Sequence, residues 1–392
     1  MAARMIPYGR QNISEADIDA VVAVLRSDFL TQGPAVEAFE AALAAHCDTP
    51  GAVAVNSATS GLHLACLALG VGPGSRVWTS PNTFVASANA PRLCGASVEF
   101  VDIDPDTWNL CPKALEDRLL AAERAGTLPD LVIPVHFAGE PCDMKAIHEL
   151  AQRYGFRVLE DAAHAIGARY EQQSIGRCSH SDLAVFSFHP VKIITTAEGG
   201  AVSGQDSALL ARIAQLRSHG ITKNPAEFSG EADGAWDYQM QALGLNYRMT
   251  DVQAALGCQQ MQRLESFIER RHQLAARYER LLDGMPVRCQ KRSEQSRSAL
   301  HLMPVWLDPE LFDRRRAFDA MRDAGIGVQV HYIPVHWQPY WRDQLAEPAH
   351  CPNAERYYAG TISLPLYADL SDAQQDQVCD ALRRALETAQ IR

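Results

Sequence analysis

From about residue 47 to Gly204, short apolar runs of strand length alternate with segments of helical character, and this alternation constrains the fold more than any other feature of the chain. The strand-like runs cover 52–55, 76–79, 97–102, 131–135, 156–160 and 182–188. Strands separated by helices imply a mostly parallel sheet covered on both faces. Open sheets of that kind take their ligands at the carboxyl ends of the strands. The polar residues that follow each run are therefore the places to look for chemistry. Upstream, Ser14 with Asp17 three residues on predicts a capped amphipathic helix carrying Ala16, Ile18, Val21, Val22 and Leu25, and a second helix is predicted over 34–46. Downstream, Val252, Ala255, Leu256, Leu264, Phe267, Leu274 and Tyr278 recur at helical intervals and predict one long helix over 251–282. The bends at Gly284-Met285-Pro286 mark a boundary with a smaller C-terminal α/β unit.

Three of the strand ends carry candidate chemistry. The run 156–160 delivers Asp161 to the carboxyl edge of the sheet, with Ala162-Ala163-His164 behind it. Asn56-Ser57-Ala58-Thr59-Ser60-Gly61 lies between a strand and a helical stretch. Small hydroxyl residues there put free N–H and O–H donors at a helix N-terminus, which suits a phosphate; an ordinary N-cap by Ser57 or Thr59 would use the same residues. Lys192 stands between the apolar run 183–188 and the polar loop Thr195-Thr196-Ala197-Glu198-Gly199-Gly200. A desolvated amine loses its proton more easily and attacks aldehydes, whereas a solvated surface lysine does not. A reactive lysine, an acid able to pair with a pyridinium nitrogen and a phosphate cup are together what pyridoxal phosphate requires of a protein.

Four segments carry a resemblance: Asn56-Ser57-Ala58-Thr59-Ser60-Gly61, Glu160-Asp161-Ala162-Ala163-His164-Ala165, Phe186-Ser187-Phe188-His189-Pro190-Val191-Lys192 and Leu245-Asn246-Tyr247-Arg248-Met249-Thr250-Asp251. They are similar to the DegT-type sugar aminotransferases, pyridoxal-phosphate enzymes of the aspartate-aminotransferase (type I) fold that act on nucleotide-linked keto-sugars. The likeness runs from Ile6-Pro7-Tyr8-Gly9-Arg10-Gln11 to Ser363-Leu364-Pro365-Leu366-Tyr367. It implies a mostly parallel seven-stranded sheet in a three-layer large domain. With it, the chain divides into an N-terminal arm (1–13), a large cofactor-binding domain (14–257), and a linking helix with a small C-terminal α/β domain (258–392). The opening Ile6 to Gln11, Ser27-Asp28-Phe29-Leu30-Thr31-Gln32-Gly33-Pro34 and Val330-His331-Tyr332-Ile333-Pro334-Val335-His336 resemble the pseudaminic-acid-pathway branch. That branch moves an amino group from L-glutamate to C4 of a UDP-linked 4-keto-6-deoxy-N-acetyl amino sugar.

The resemblance also implies roles. Lys192 bonds the cofactor and then moves the proton, and Asp161 holds the pyridine nitrogen protonated. Phe84 and His164 cover the two faces of the ring. A core Phe and a hydrogen-bonded His at a helix start are the plain readings of the latter pair. Ala58, Thr59 and Ser187 hold the phosphate, and Asn246 completes the cup of a neighbouring subunit, so the site implied is that of a homodimer. Tyr8, Phe29, Leu30, Arg248, His331 and Tyr332 are candidates for the nucleotide-sugar or donor carboxylate, Arg248 because a guanidinium fits either anion. His136, ending the run 131–135 near Asp161, reads as a satisfied buried histidine rather than a substrate contact.

Composition excludes other classes. A formal charge of −11 over 392 residues, with basic residues scattered, argues against nucleic acid and anionic membrane surfaces as partners. The ten cysteines contain no C-x-x-C pair and many lie in apolar surroundings, which fits reduced thiols in a cytoplasmic protein. No H-x-x-x-H pattern suggests a metal, no N-terminal apolar core suggests a signal peptide, and no run is long enough to span a membrane. Two alternatives stand beside the aminotransferase. Sugar dehydratases of this fold carry His at the lysine position, where this chain has Lys192. A sugar-nucleotide-binding protein without turnover would be expected to lose Asp161 or Lys192, and both are present.

Overall fold

The structure, a computed structural model, describes residues 5–345 and 348–391. The chain opens with α1 (Glu15–Leu25) and α2 (Pro34–Cys47). The expected cap is present: Ser14 accepts from the Asp17 N–H while the Asp17 carboxylate accepts from the Ser14 N–H at 2.7 Å. The central sheet then builds from β1 (Gly51–Val55), β2 (Arg76–Thr79), β3 (Ser97–Phe100), β4 (Leu131–Ile133), β5 (Arg157–Asp161), β6 (Leu183–Ser187) and β7 (Gly200–Gly204), in the spatial order β1-β7-β6-β5-β4-β2-β3. Only β7 runs antiparallel to its neighbours, pairing Val55 with Gly200 on one side and Ser187 with Gly200 on the other. The seven-stranded, mostly parallel sheet is the one the resemblance implied. The strand β7 itself was not among the predicted runs: it is five residues long, bounded by Gly200 and Gly204, and its start overlaps the loop read over 195–200.

Helices cover both faces: α3 (Ala58–Ala68), α4 (Ala86–Leu93), α5 (Pro112–Ala125), α6 (Met144–Tyr154) and α7 (Ser207–Arg217). Helix α3 packs close against the sheet, which Gly61 permits: a Cβ there would stand 2.9 Å from Val185 Cγ1 of β6. The chain returns from β3 at the sheet edge to β4 on the other side of β2, so the strand order switches between β2 and β4. The carboxyl ends of β1, β2, β4, β5 and β6 share one edge with the start of β7, and there the connecting loops part to leave room for a ligand.

The predicted helix over 251–282 is two helices, α8 (Asp251–Gln262) and α9 (Leu264–Leu282), broken at Arg263 with φ −103° and ψ 0°. The apolar periodicity carried across the break and hid it. Arg263 is held there from outside the helix, its guanidinium paired with the buried Asp17 carboxylate and with Asn12. Beyond it, β8 (Val287–Cys289), β9 (Met303–Leu307) and β10 (Thr361–Leu364) form a second, antiparallel sheet. With α9, α10 (Arg314–Asp323) and α11 (Asp372–Ala389) it encloses its own core around Leu274, Tyr278, Val305, Met321, Ile362 and Leu382.

The segment before α1 joins this second core. Ile6 bridges to Ile326, the Gly327 N–H donates to the Ile6 carbonyl at 2.7 Å, and the Leu366 N–H donates to the Tyr8 carbonyl at 3.0 Å. Those bonds bring Tyr8 to the central edge of the large sheet. Among the described residues no helix is long and apolar enough to cross a membrane.

Candidate active site

Where the strand ends converge, a cavity of about 460 Å³ is lined by residues from both halves of the chain. At the end of β1, Ser57 caps α3 by accepting from the Ser60 N–H at 3.1 Å. The Ala58 and Thr59 N–H groups belong to the first turn, whose donors have no partner within the helix, and both residues line the cavity. The plain reading of Ser57 as a cap is thus correct, and it leaves the cup available.

Asp161, at the end of β5, is buried and accepts from Ser87 Oγ at 2.6 Å and from the Ala163 N–H at 3.0 Å. Ser87 sits in the first turn of α4 and receives in turn from Thr83 Oγ at 2.7 Å. Lys192 follows β6 on a turn in which its N–H donates to the His189 carbonyl at 2.8 Å. Burial pushes its amine down to about 8, although Asp161 pulls the other way. Part of its surface opens onto the cavity, so the desolvation comes from the surrounding protein rather than from complete enclosure.

On the wall, Phe84 presents an exposed ring 6.4 Å from that of Tyr332. His164 is buried: its Nδ1 accepts from the Ala138 N–H at 3.2 Å, which leaves the proton on Nε2 to be donated to the Tyr332 hydroxyl at 3.1 Å. Burial, with Lys192 nearby, holds the ring well below the usual histidine range, so it is neutral. Tyr8 and His331 complete this side, their rings 5.4 Å apart. His331 bonds Ser363 Oγ at 2.8 Å and burial pushes it down to about 3.

Of the candidates named from sequence, Tyr8, Ala58, Thr59, Phe84, Asp161, His164, Ser187, Lys192, His331 and Tyr332 all line this one cavity. Four do not: Phe29, Leu30 and Asn246 are exposed and Arg248 is partly so, all outside the cavity wall of their own chain. His136 is the satisfied buried histidine expected, with Nδ1 accepting from the Cys142 N–H and Nε2 bonded to Glu160. Sequence reading missed Ser87 and His301. The His301 ring lies 4.4 Å from that of His164, tilted by 44°, on the cavity wall, and its Nδ1 has no partner among the described residues. Its only signal was a lone histidine in the apolar run Ala299-Leu300-His301-Leu302-Met303.

The sequence pattern of the DegT/DnrJ/EryC1/StrS aminotransferase family matches residues 11–383. The chain belongs to that family. It is 39% identical to the spore coat polysaccharide biosynthesis protein SpsC of Bacillus subtilis and 39% identical to the UDP-4-amino-4,6-dideoxy-N-acetyl-beta-L-altrosamine transaminase of Campylobacter jejuni, in each case over 98% of both chains. Among solved structures, Helicobacter pylori PseC, an aminotransferase of pseudoaminic acid biosynthesis, superposes with a TM-score of 0.89 at 29% identity, over 98% of this chain and 100% of that one. Spr1654 of Streptococcus pneumoniae, solved in PLP and PMP forms, matches with a TM-score of 0.87 at 28–29% identity over 97–98% of this chain and 99% of that one. Membership in this family makes the chain a nucleotide-sugar aminotransferase, and the family together with the PLP and PMP forms of that structural neighbour implies pyridoxal phosphate as the cofactor.

The cavity fits that cofactor. Free N–H groups at the start of α3 suit its phosphate, a lysine that gives up its proton more readily than usual its aldehyde, a hydrogen-bonded carboxylate its ring nitrogen, and Phe84 its ring face. Gly200 makes the cup possible, because a Cβ on it would lie 2.6 Å from Ala58 N, 2.7 Å from Ser57 C and 2.8 Å from Phe186 O, all backbone atoms that cannot swing aside. Gly200→Ala should therefore push the α3 N-terminus out of register. We expect a loss of about 1–3 kcal/mol in stability by urea unfolding and cofactor affinity weakened on the order of tenfold, as when about 1.4 kcal/mol of binding is lost. An unchanged cofactor Kd would show that this contact does not set the cup.

Proposed function

We propose that this enzyme transfers the amino group of L-glutamate to C4 of a UDP-linked 4-keto-6-deoxy-N-acetyl amino sugar, in two half-reactions, on the branch leading to pseudaminic acid. The carrying observation is the convergence of Lys192, Asp161 and the α3 N-terminus on one cavity, in a chain as similar to the Campylobacter jejuni transaminase as stated above. Bound pyridoxal phosphate supplies the electron-withdrawing ring that carries the amino group from donor to acceptor.

The chain's own groups do the rest. At pH 7.5 an amine titrating at about 8 is neutral in about a quarter of molecules, against about one in a thousand for an ordinary lysine. Lys192 Nζ can thus take a proton from the donor's α-carbon and return it at the sugar's C4. Asp161 would face the ring nitrogen of the bound cofactor, where a carboxylate favours protonation of that nitrogen. His164, neutral and fixed by the Ala138 N–H, offers a flat face without adding positive charge. Ala58, Thr59 and Ser187 anchor the phosphate, while Tyr8, His331 and Tyr332 line the side where a sugar would enter.

The reading includes a homodimer in which Asn246, and with it Arg248, Phe29 and Leu30, serve the neighbour's site. It is supported by their standing at the surface and away from their own cavity. A monomer with full activity would refute that part.

The test is the visible absorbance of the purified enzyme. Glutamate should remove the band of lysine-bound cofactor, and the UDP-linked 4-keto sugar should restore it. Bleaching without recovery would assign a different nucleotide-linked keto-sugar. A protein that never develops the band with added pyridoxal phosphate would not be an aminotransferase.

A further inference from the structure

Behind the cavity wall, two hydroxyl groups and the Asp161 carboxylate form a buried chain. Ser87, fully buried in the first turn of α4, has its Oγ 2.6 Å from Asp161 Oδ2 and 2.7 Å from Thr83 Oγ1. Thr83 is buried as well but lines the cavity, whereas Ser87 does not. The other carboxylate oxygen, Oδ1, accepts from the Ala163 N–H at 3.0 Å. Among the described residues, Ser87 and Ala163 are the donors to Asp161. Neither of them carries a charge.

The carboxylate sets the direction of the protons. When ionised it only accepts, so Ser87 donates to it. That uses the single proton of Ser87, and Thr83 must then donate to Ser87 Oγ. A serine near a helix start commonly turns its hydroxyl back to a carbonyl of the preceding turn. Here the Phe84 carbonyl is within reach, yet it stands 3.4 Å away, and the 2.6 Å approach to Asp161 is much the closer. Such a length is that of a hydroxyl on a charged acceptor, a bond about twice as strong as a neutral one. The stretch 83–87 therefore has two duties. Phe84 presents its ring to the cavity, and the hydroxyls that flank it in sequence hold the acid.

We propose that Ser87, backed by Thr83, is a positioning residue of the transamination, aiming the Asp161 carboxylate at the ring nitrogen of the bound cofactor. The proposal rests on Asp161 facing that nitrogen. Donors on both oxygens fix the plane of the carboxylate, which the Ala163 N–H alone would leave free to turn. Each donor also favours the ionised form of a carboxylate.

The experiment loads Ser87→Ala with pyridoxal phosphate carrying nitrogen-15 in its ring and compares it with the unsubstituted holoenzyme and with Asp161→Asn. The ring-nitrogen signal of Ser87→Ala should move toward that of an unprotonated pyridine. Its kcat at saturating cofactor should fall about 10- to 100-fold, as when one hydrogen bond to a charged group is lost. The KM for glutamate should stay, because Ser87 does not line the cavity. Ser87→Cys keeps the shape with a weaker donor; it should lose less of both, and it carries the test if the alanine variant does not fold. A merely structural serine would lower the unfolding midpoint and leave the nitrogen signal and kcat unmoved, a result that overturns the proposal. Asp161→Asn tells two failures apart. If it loses the protonated-nitrogen signal while the Ser87 variants keep it, the positioning role alone falls. If it keeps that signal, the role of Asp161 falls and that of Ser87 with it.

Discussion

Asp161→Asn should lower turnover by about two to three orders of magnitude, the range seen when one group aimed at charge in a transition state is removed, while the folded protein keeps its cofactor. The side chain is nearly isosteric, and its oxygen can still accept from Ser87 Oγ or from the Ala163 N–H. What the proposed role says is lost is the carboxylate charge that would favour a protonated ring nitrogen. The structural loss is one weakened hydrogen bond, about 1 kcal/mol, so the thermal midpoint should move little. Asp161→Ala makes a useful contrast, because it leaves the buried Ser87 hydroxyl without its acceptor and should cost stability as well. Measuring kcat at saturating cofactor together with the unfolding midpoint separates the two. Near-normal transamination by the Asn variant would remove Asp161 from the chemistry.

Lys192→Met should abolish both half-reactions and the band of lysine-bound cofactor, yet make the cofactor-free protein more stable at neutral pH. The sign follows from the depressed amine. Below about pH 8 Lys192 is protonated in the folded and unfolded chain alike, and the fold bears the full cost of an ammonium in a desolvated site. Between about 8 and the ordinary value of about 10.4 the folded protein releases its proton first, so that cost shrinks as pH rises. Methionine fills a similar volume without the charge. Allowing for the cavity water that reaches the amine, we expect a gain of about 1–2 kcal/mol at pH 7, vanishing toward pH 10. Urea unfolding of both cofactor-free proteins at the two pH values checks it. A destabilised variant at pH 7 would mean that the amine is better solvated than its surroundings imply.

Much of this was legible from local pattern, and the rest depended on contacts between distant parts of the chain. Strand β2 was found over the same residues as predicted, and β5 and β6 to within a residue at either end, because buried parallel strands are short apolar runs with polar residues after them. Asp161, directly after such a run, and Lys192, a few residues beyond another, stood out because a charged group beside buried strands is costly unless it is paired. Ser87 was not, since its bond to Asp161 spans 74 positions and nothing in its own surroundings marks it. Likewise the break at Arg263 is made by Asp17 and Asn12, far upstream, while the helical periodicity continues undisturbed through it. His301 acquires meaning only from the ring of His164 beside it.

The pairing of Ile6 with Ile326, and of the Tyr8 carbonyl with the Leu366 amide, bears on how the protein is made. Tyr8 leaves the ribosome about 360 residues before Leu366, whose amide holds it, a very long-range contact of the kind that slows folding. The nascent chain can assemble its parallel sheet and cofactor cup early, but the wall built from Tyr8, His331 and Tyr332 closes only when synthesis is nearly finished. A translation product that stops before Ile326 would therefore lack His331 and Tyr332 and the partners that hold Tyr8, and with them one wall of the cavity.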